Sequence, residues 1–272
     1  MSDTESRFPT AHWKAVLTTL IKYEQPLNER VRTFLRIEHL FDLGAHFLDG
    51  SDQWESRLRV AALLDVVELM GRSDIRNELI KELERHATVL GALQSSRGVD
   101  QQRLQSILDD INQYLHELRD SGSQVGQILR KDELMQSIKQ RNTIPGGTCS
   151  FDLPGYHFWL NRSADERRSQ LEEWQQDLLL VRKALKLALH LIRSSTTPSR
   201  EVAERGFYQQ PIESGVSCQM VRVLLPAQSP LYPEISAGRH RFTVRFMEQS
   251  RTCDRPSQTE NDVEFELHCC IL

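Results

Sequence analysis

Apolar positions recur with two different periods along the 272-residue chain, and the change of period divides it. From Leu27 onward, Val31, Phe34, Phe41 and Leu48 fall at helical spacing while Glu29, Arg32 and Arg36 share another face, which predicts an amphipathic helix of about six turns. Residues 54–70 are apolar almost all round (Leu58, Ala61, Ala62, Leu64, Val66, Val67, Leu69), the signature of a buried central helix. Ser73 can cap a third helix with the stripe Ile75, Leu79, Leu83, Leu90 and Leu93. Gly98 and Asp100 introduce a fourth (Leu104, Ile107, Leu108, Ile111, Leu115, Leu118), and a fifth follows Gly122 (Val125, Ile128, Leu129, Met135, Ile138). Ser163-Ala-Asp-Glu166 matches a capping box and opens a helix reaching about Arg193. Its stripe Leu171, Trp174, Leu178, Val181, Leu185, Ala188 and Ile192 alternates steps of three and four, which makes it a packing seam, within the chain or between subunits.

Period two appears at both ends. Val16 to Glu24 reads as a strand stopped by Pro26, and strands are expected over 216–225, 239–247 and 262–268. In the middle one, Phe242, Val244 and Phe246 alternate with Arg241, Thr243 and Arg245, so the sheet is antiparallel and buried on one face. The fold class is α+β: a mainly helical domain, a helical bundle, beside a smaller antiparallel β domain formed by the N-terminal strand and the C-terminal third. The expected divisions are a flexible extension over 1–15, the strand over 16–25, the helical domain over 26–198 and the β domain over 199–272. Between the helices, Ile144-Pro-Gly-Gly-Thr-Cys-Ser-Phe-Asp-Leu-Pro154 is a structured loop, because Phe151, Leu153, Tyr156, Phe158 and Trp159 are too apolar to leave in water.

Composition narrows the function. At 39% hydrophobic and 26% charged the chain can build a core without disulfides or metals. Its net charge of −4 argues against a whole-surface nucleic-acid binder. The 34 basic residues are 27 Arg and 7 Lys. That skew reads either as genomic bias or as local patches whose guanidinium forks meet carboxylates. Five cysteines (Cys149, Cys218, Cys253, Cys269, Cys270) without zinc-ligand spacing favour a reducing cytoplasm. Met1-Ser-Asp-Thr-Glu-Ser6 lacks the basic, apolar character of an export signal, and no apolar run approaches the ~18 residues that span a bilayer. Neither a membrane span, a metal site nor a cofactor is expected.

The common nucleotide-binding, metalloprotease and hydrolase motifs are missing. Cys149 and His157, beside the Gly146-Gly147 turn, are the nearest approach to a catalytic pair, with a packed loop cysteine as the plainer reading. Cys269-Cys270-Ile271-Leu272 is a poor prenylation box and reads as a strand end. Arg32 and Arg36 are either a solvated face paired with Glu29 or part of an anion-binding surface. Arg239, Arg241 and Arg245 could bind an anion or pair across strands with Glu264 and Glu266.

Several strings then occur together and in order: Pro26-Leu-Asn-Glu-Arg-Val-Arg-Thr-Phe-Leu-Arg-Ile-Glu38, Arg76-Asn-Glu-Leu-Ile-Lys-Glu-Leu-Glu-Arg85, the 144–154 loop with His157 and Trp159, Gly206-Phe-Tyr208, Leu231-Tyr-Pro-Glu-Ile-Ser236 and Arg241-Phe-Thr-Val-Arg-Phe-Met247. From about residue 16 to Cys270 the chain resembles the ZapD family of Z-ring-associated bacterial cell-division proteins. The resemblance implies a non-enzymatic cytoplasmic homodimer at the mid-cell division site. Such a dimer binds the C-terminal tail of the tubulin-like protein FtsZ through a positively charged pocket and cross-links FtsZ filaments, with no nucleic acid or membrane partner. Carried over by matching strings, Arg36 and Arg241 are the leading tail-binding residues, followed by Arg32, Arg130, Arg141, His157 and Arg245. Glu133 stands where relatives often carry another basic residue, which shrinks the patch or moves its centre to Lys131.

Overall fold

The computed structural model describes residues 19–46, 51–72, 74–121, 125–212, 217–238 and 240–271. The chain forms two compact units. One, mainly helical, comprises 26–196 with 217–220 and 270–272; the other, a β unit, comprises 1–25, 197–216 and 221–269.

The helical unit contains α1 (Glu29–His46), α2 (Gln53–Arg72), α3 (Ile75–Gly91), α4 (Gln101–Asp120), α5 (Gln127–Lys131), α6 (Glu133–Arg141), α7 (Pro154–Leu160), α8 (Ala164–Gln175) and α9 (Leu179–Ser194). Most of the stripe positions read from the sequence face its core; Leu93, expected on the third stripe, lies past α3 in a 3-10 turn and is exposed, and Leu58 of α2, expected to be buried, is exposed as well. Val31, Phe34 and Ile37 of α1, Leu79 and Leu83 of α3, Ile111 and Leu118 of α4, and Leu185 and Ile192 of α9 are all buried in one cluster. Each such side chain contributes about 1.5–3 kcal/mol when fully withdrawn from water.

Polar side chains decide where the helices stop and start. Ser73, the expected cap of α3, lies outside the described residues, as do Leu48, Gly122, Val216 and Arg239; Asp74 caps α3 instead, accepting a hydrogen bond from the Asn77 amide at 3.2 Å. Asp100 does the same for α4 from Arg103 at 3.0 Å. The expected fifth helix is two, α5 and α6, because Asp132 leaves helical geometry to cap α6. One of its carboxylate oxygens accepts the Met135 amide at 2.9 Å and the other the Trp174 indole N–H, also at 2.9 Å.

The long helix expected from Ser163 to Arg193 is likewise interrupted. A 3-10 turn at Gln176–Leu178 separates α8 from α9, and there Asp177 accepts the otherwise unsatisfied Ile128 amide of α5 at 3.0 Å. The seam survives the turn. Leu171, Trp174, Leu178, Val181, Leu185, Ala188 and Ile192 are all buried within the chain, so the seam is an intrachain core and is not available to a second subunit.

The β unit holds β1 (Leu20–Pro26), β2 (Ser199–Ala203), β3 (Phe207–Pro211), β4 (Cys218–Pro226), β5 (Leu231–Ala237), β6 (Arg241–Glu248), β7 (Ser257–Gln258) and β8 (Val263–Ile271). Two sheets form, one in the order β1-β4-β8-β2 and one in the order β3-β6-β5 with β7 also paired to β6. Tyr208, Phe246 and Phe265 join them through ring contacts of 5.0–5.2 Å between Phe265 and the other two. Strands β2, β3, β5 and β7 are additional to those expected. Residues β2 and β3 are joined at Arg205-Gly206, both at positive φ (49° and 70°), the geometry of a two-residue hairpin turn. A Cβ on Gly206 would lie 2.7 Å from the Thr259 carbonyl oxygen, so only glycine fits. Strand β5 carries Pro233, which is tolerated because β5 is an edge strand.

Candidate functional site

The sequence-derived residues fall on both units, and the neighbours of each decide what it can bind. On α1, three arginines have three different surroundings. Arg30 turns inward, donating from Nε to Glu78 at 2.7 Å and from Nη1 to Glu82 at 2.9 Å. Arg32 pairs with Glu29 one turn away, the solvated-face reading. Arg36 is exposed and makes no ion pair among the described residues.

Glu82 is fully buried beside Arg30, Arg85 and His86, with His86 Nε2 at 3.2 Å. Burial pushes its carboxyl up, but hydrogen bonds from His86 and Arg85 and their charges outweigh that and hold it well below the usual carboxylate range. The helix α1 is thereby clamped to α3, which fixes the direction in which Arg36 projects.

Arg130, on α5, is half-buried and lies 3.5 Å from the Val67 carbonyl oxygen; the next residue, Lys131, is exposed. Glu133 sits in the first turn of α6, where a negative charge complements the helix dipole. Arg141, in the last turn of α6, is exposed, and its guanidinium is 3.9 Å from Asp152.

From Arg141 the chain folds back through a run of turns (Ile144 N–H to Arg141 O at 3.0 Å, Gly147 to Ile144 at 2.9 Å, Cys149 to Gly146 at 3.0 Å). Gly146 has φ +74°, and a Cβ on Gly147 would stand 2.5 Å from the Arg141 carbonyl oxygen. The adjacent glycines are therefore a steric requirement. Pro154 then starts α7, a helix within what the sequence reads as loop, and its fixed φ suits the first helical position. Of the five apolar residues expected to be sheltered here, Leu153, Tyr156 and Trp159 are buried, while Phe151 is 84% and Phe158 65% exposed. Helix α7 places only one face against the core, and the other carries Phe158 and the exposed His157.

The Cys149 thiol donates to Asp152 at 3.3 Å, and the His157 ring lies 3.4 Å from the Asn161 amide nitrogen. Thiol and imidazole thus have separate partners and do not form the activated pair that their spacing allowed. Among the described residues no His, Cys, Asp or Glu cluster is placed to hold a metal ion, and no helix is long and apolar enough to cross a membrane.

In the β unit, Arg241 and Arg245 lie four residues apart on the exposed face of β6, about 13 Å along the strand. The alternative of pairing with Glu264 and Glu266 is overturned by the topology. Strand β8 belongs to the other sheet, where Glu264 is opposite Val202 and Glu266 opposite Arg200, and Glu266 bonds His268 at 2.6 Å. Arg245 stands opposite Phe207 and Glu234, Arg241 opposite Pro211, and neither makes an ion pair among the described residues.

Two basic groups were not singled out from the sequence. Arg182, Lys183 and Lys186 line a groove of about 440 Å³ between α1 and α9, facing Glu38 and Asp42 as well as Phe41 and Leu185, so its charge is mixed. Their spacing on the polar face of α9, opposite the apolar seam, is the signal the sequence carries for them. Arg57 is stacked between Trp54 and Tyr156, its guanidinium carbon 5.4 and 4.9 Å from the ring centroids. Trp54-x-x-Arg57 at helical spacing could have shown it.

The family model described as "ZapD: Cell division protein" matches residues 35–245. Cell division protein ZapD of Methylococcus capsulatus is 41% identical over 252 residues, covering 93% of this chain and 98% of that protein. Those of Aromatoleum aromaticum and Azoarcus sp. are 39% and 37% identical over 253 residues, with 93% of this chain and 98% and 100% of theirs covered. A match of that length, running through α1, the 144–154 loop and β6, makes this chain a member of the ZapD family of cell division proteins.

Proposed function

We infer that the protein is a non-enzymatic adaptor of the cytoplasmic division site, which binds the C-terminal tail of FtsZ and, as a homodimer, cross-links FtsZ filaments. Family membership supports the division role. The observation that carries the finer reading is that Arg36, Arg241 and Arg245, which lie in the strings shared with the family, are exposed and make no ion pair among the described residues. Unpaired guanidinium forks on a mildly acidic protein suit a short acidic peptide, which they grip bidentately, better than a long polyanion. On the helical unit Arg32, Arg130, Arg141 and Lys131 add cationic donors, and His157 adds an exposed imidazole.

Bundling needs two tail sites per particle, and a two-fold dimer repeats each site once. A filament presents its tails in a dense row, so a second site acts at high effective concentration and weak single contacts become avid. Co-sedimentation with intact and tail-deleted FtsZ tests the reading: the protein pellets and bundles with intact filaments and stays in the supernatant with tail-deleted ones. A heterodimer with one Arg36→Glu, Arg241→Glu subunit binds filaments without bundling them; full bundling by it would refute the bivalent mechanism.

A further inference from the structure

The helical unit has a cleft of about 360 Å³ between α2 and the segment from the end of α6 to α7. Leu58, Ala61, Leu64 and Ile138 give it an aliphatic floor, Trp54 and Tyr156 its aromatic walls, and among the described residues Arg57 is the only charged one lining it. The size is that of a small-ligand site. Trp54 is 71% exposed, so the cleft is open to a partner.

Arg57 has no carboxylate partner among the described residues. Its polar contacts are Thr148, at 3.3 Å to the carbonyl and 3.4 Å to the hydroxyl oxygen, both long for a hydrogen bond. Burial pushes the Tyr156 phenol up to about 12, against the lowering effect of Arg57, so that wall is uncharged at neutral pH. A guanidinium held within cation–π range of two rings still has N–H groups to offer a planar acceptor.

The cleft is pre-formed. Arg167 of α8 is 4% exposed and donates from Nε to Ser56 at 3.0 Å, from Nη1 to the Leu160 carbonyl at 3.1 Å and to that of Arg162, and from Nη2 to the Ser51 carbonyl at 2.6 Å. It therefore ties the start of α2, which carries Trp54 and Arg57, to the end of α7, which carries Tyr156. Gly147 fixes the segment between. A rigid site of Trp, Tyr and Arg around an apolar floor has the composition of an interface hot spot.

We propose that this cleft is the anchor subsite for the acidic tail peptide, taking one apolar side chain onto Leu58 and Ile138 between Trp54 and Tyr156 while Arg57 binds the neighbouring carboxylate. The proposal rests on the tail-binding reading and adds a salt-resistant, apolar component to it. The charge pattern selects the occupant. A wholly apolar partner would bury the Arg57 charge unpaired, which is costly, and a plain polyanion would leave the apolar floor unused.

The test is titration of the full-length protein with a synthetic FtsZ C-terminal tail peptide at low and near-molar salt. Trp54→Ala and Arg57→Met are expected to weaken binding about tenfold or more, or ~1.4 kcal/mol. The Trp54→Ala deficit persists at high salt, whereas that of Arg36→Glu shrinks as charges are screened beyond about 3 Å. Peptide binding also shields Trp54 from acrylamide quenching, a change absent in Trp54→Phe. Phe151→Ala, at a side chain that is almost wholly exposed, controls for general loss of surface aromatics and leaves affinity within about twofold. Wild-type affinity in both Trp54→Ala and Arg57→Met, with Arg36→Glu impaired, would overturn the subsite and leave tail binding standing. No binding of the peptide by the wild-type protein would overturn both.

Discussion

Arg167 in the helical unit and Arg241 in the β unit are the same residue type put to opposite ends. The first is buried and gives its hydrogen bonds to one hydroxyl and three backbone carbonyls from two segments; the second stands on the open face of β6 with no ion pair among the described residues. The helical unit repeats the inward pattern. Arg30 and Arg85 surround buried Glu82, Arg76 donates to the Leu118 and Arg119 carbonyls at the end of α4, and Arg193 grips Glu38 with two bonds of 2.8 and 2.6 Å. The β unit does this with Arg222, which meets Glu24 at 2.9 Å, but leaves Arg241 and Arg245 outward. An arginine-rich composition is therefore not one signal. In this protein some arginines join helix ends, others form local ion pairs, and a third group faces solvent with no acidic partner among the described residues.

The contrast can be broken from its structural side first. Arg167→Met leaves buried acceptors on α2 and α7 unpaired and is expected to cost about 3 kcal/mol, read as a lower urea midpoint with an unchanged slope. Glu82→Gln removes the charge and one of the two oxygens that accept from Arg30 and Arg85 and costs about 2 kcal/mol at neutral pH. It also changes the acid limb. The folded Glu82 carboxyl titrates below its unfolded value of about 4.3, so its stabilisation is complete above that value and is lost as the pH falls through the folded one. The wild type should thus lose stability on acidification below about pH 4.5 more steeply than Glu82→Gln; parallel curves would show that the cluster contributes nothing through this ionisation.

From the binding side, Arg36→Glu and Arg241→Glu should each weaken tail binding about tenfold, ~1.4 kcal/mol, with melting temperature and circular dichroism unchanged. A large drop in melting temperature for Arg241→Glu would place that residue with the structural arginines and end the comparison. Arg32→Ala should be nearly silent in stability, at most about 0.5 kcal/mol, because its pair with Glu29 is solvent-screened. Its effect on tail binding is correspondingly smaller than that of Arg36→Glu, since a charge already paired to Glu29 has less to offer a second carboxylate.

How far the sequence showed all this depends on whether the signal is periodic. The stripes of α1, α3, α4 and α9 were legible because their apolar positions recur over many turns. The breaks at Asp132 and Gln176–Leu178 were not, because each depends on a partner distant in sequence: Trp174 for the first, Ile128 for the second. Strands β2 and β3 are five residues each, and β5 contains a proline, so none carries an unambiguous alternation. Exposure was the least legible property. Phe151 and Phe158 satisfy every composition rule for buried residues, and only the rotation of α7 about its axis turns Phe158 outward. For the site, Arg36 could be marked as outward from its helical face, but its difference from Arg30 rests on Glu78 and Glu82, about fifty residues away.

The makeup of the helical unit limits how this protein can be divided or inherited. Met220, from the start of β4, and Cys270, near the end of β8, are both wholly buried in the helical core cluster, although most of each strand belongs to the β unit. A gene fragment ending at residue 196 would encode every helix and still lack two of the side chains that fill their core. Recombination between relatives at that natural-looking boundary would pair one parent's helices with the other parent's strand ends, and the mismatch would fall at positions with no spare volume. The helical unit is completed by residues encoded after its last helix, so a break in the gene at residue 196 is a break inside that unit.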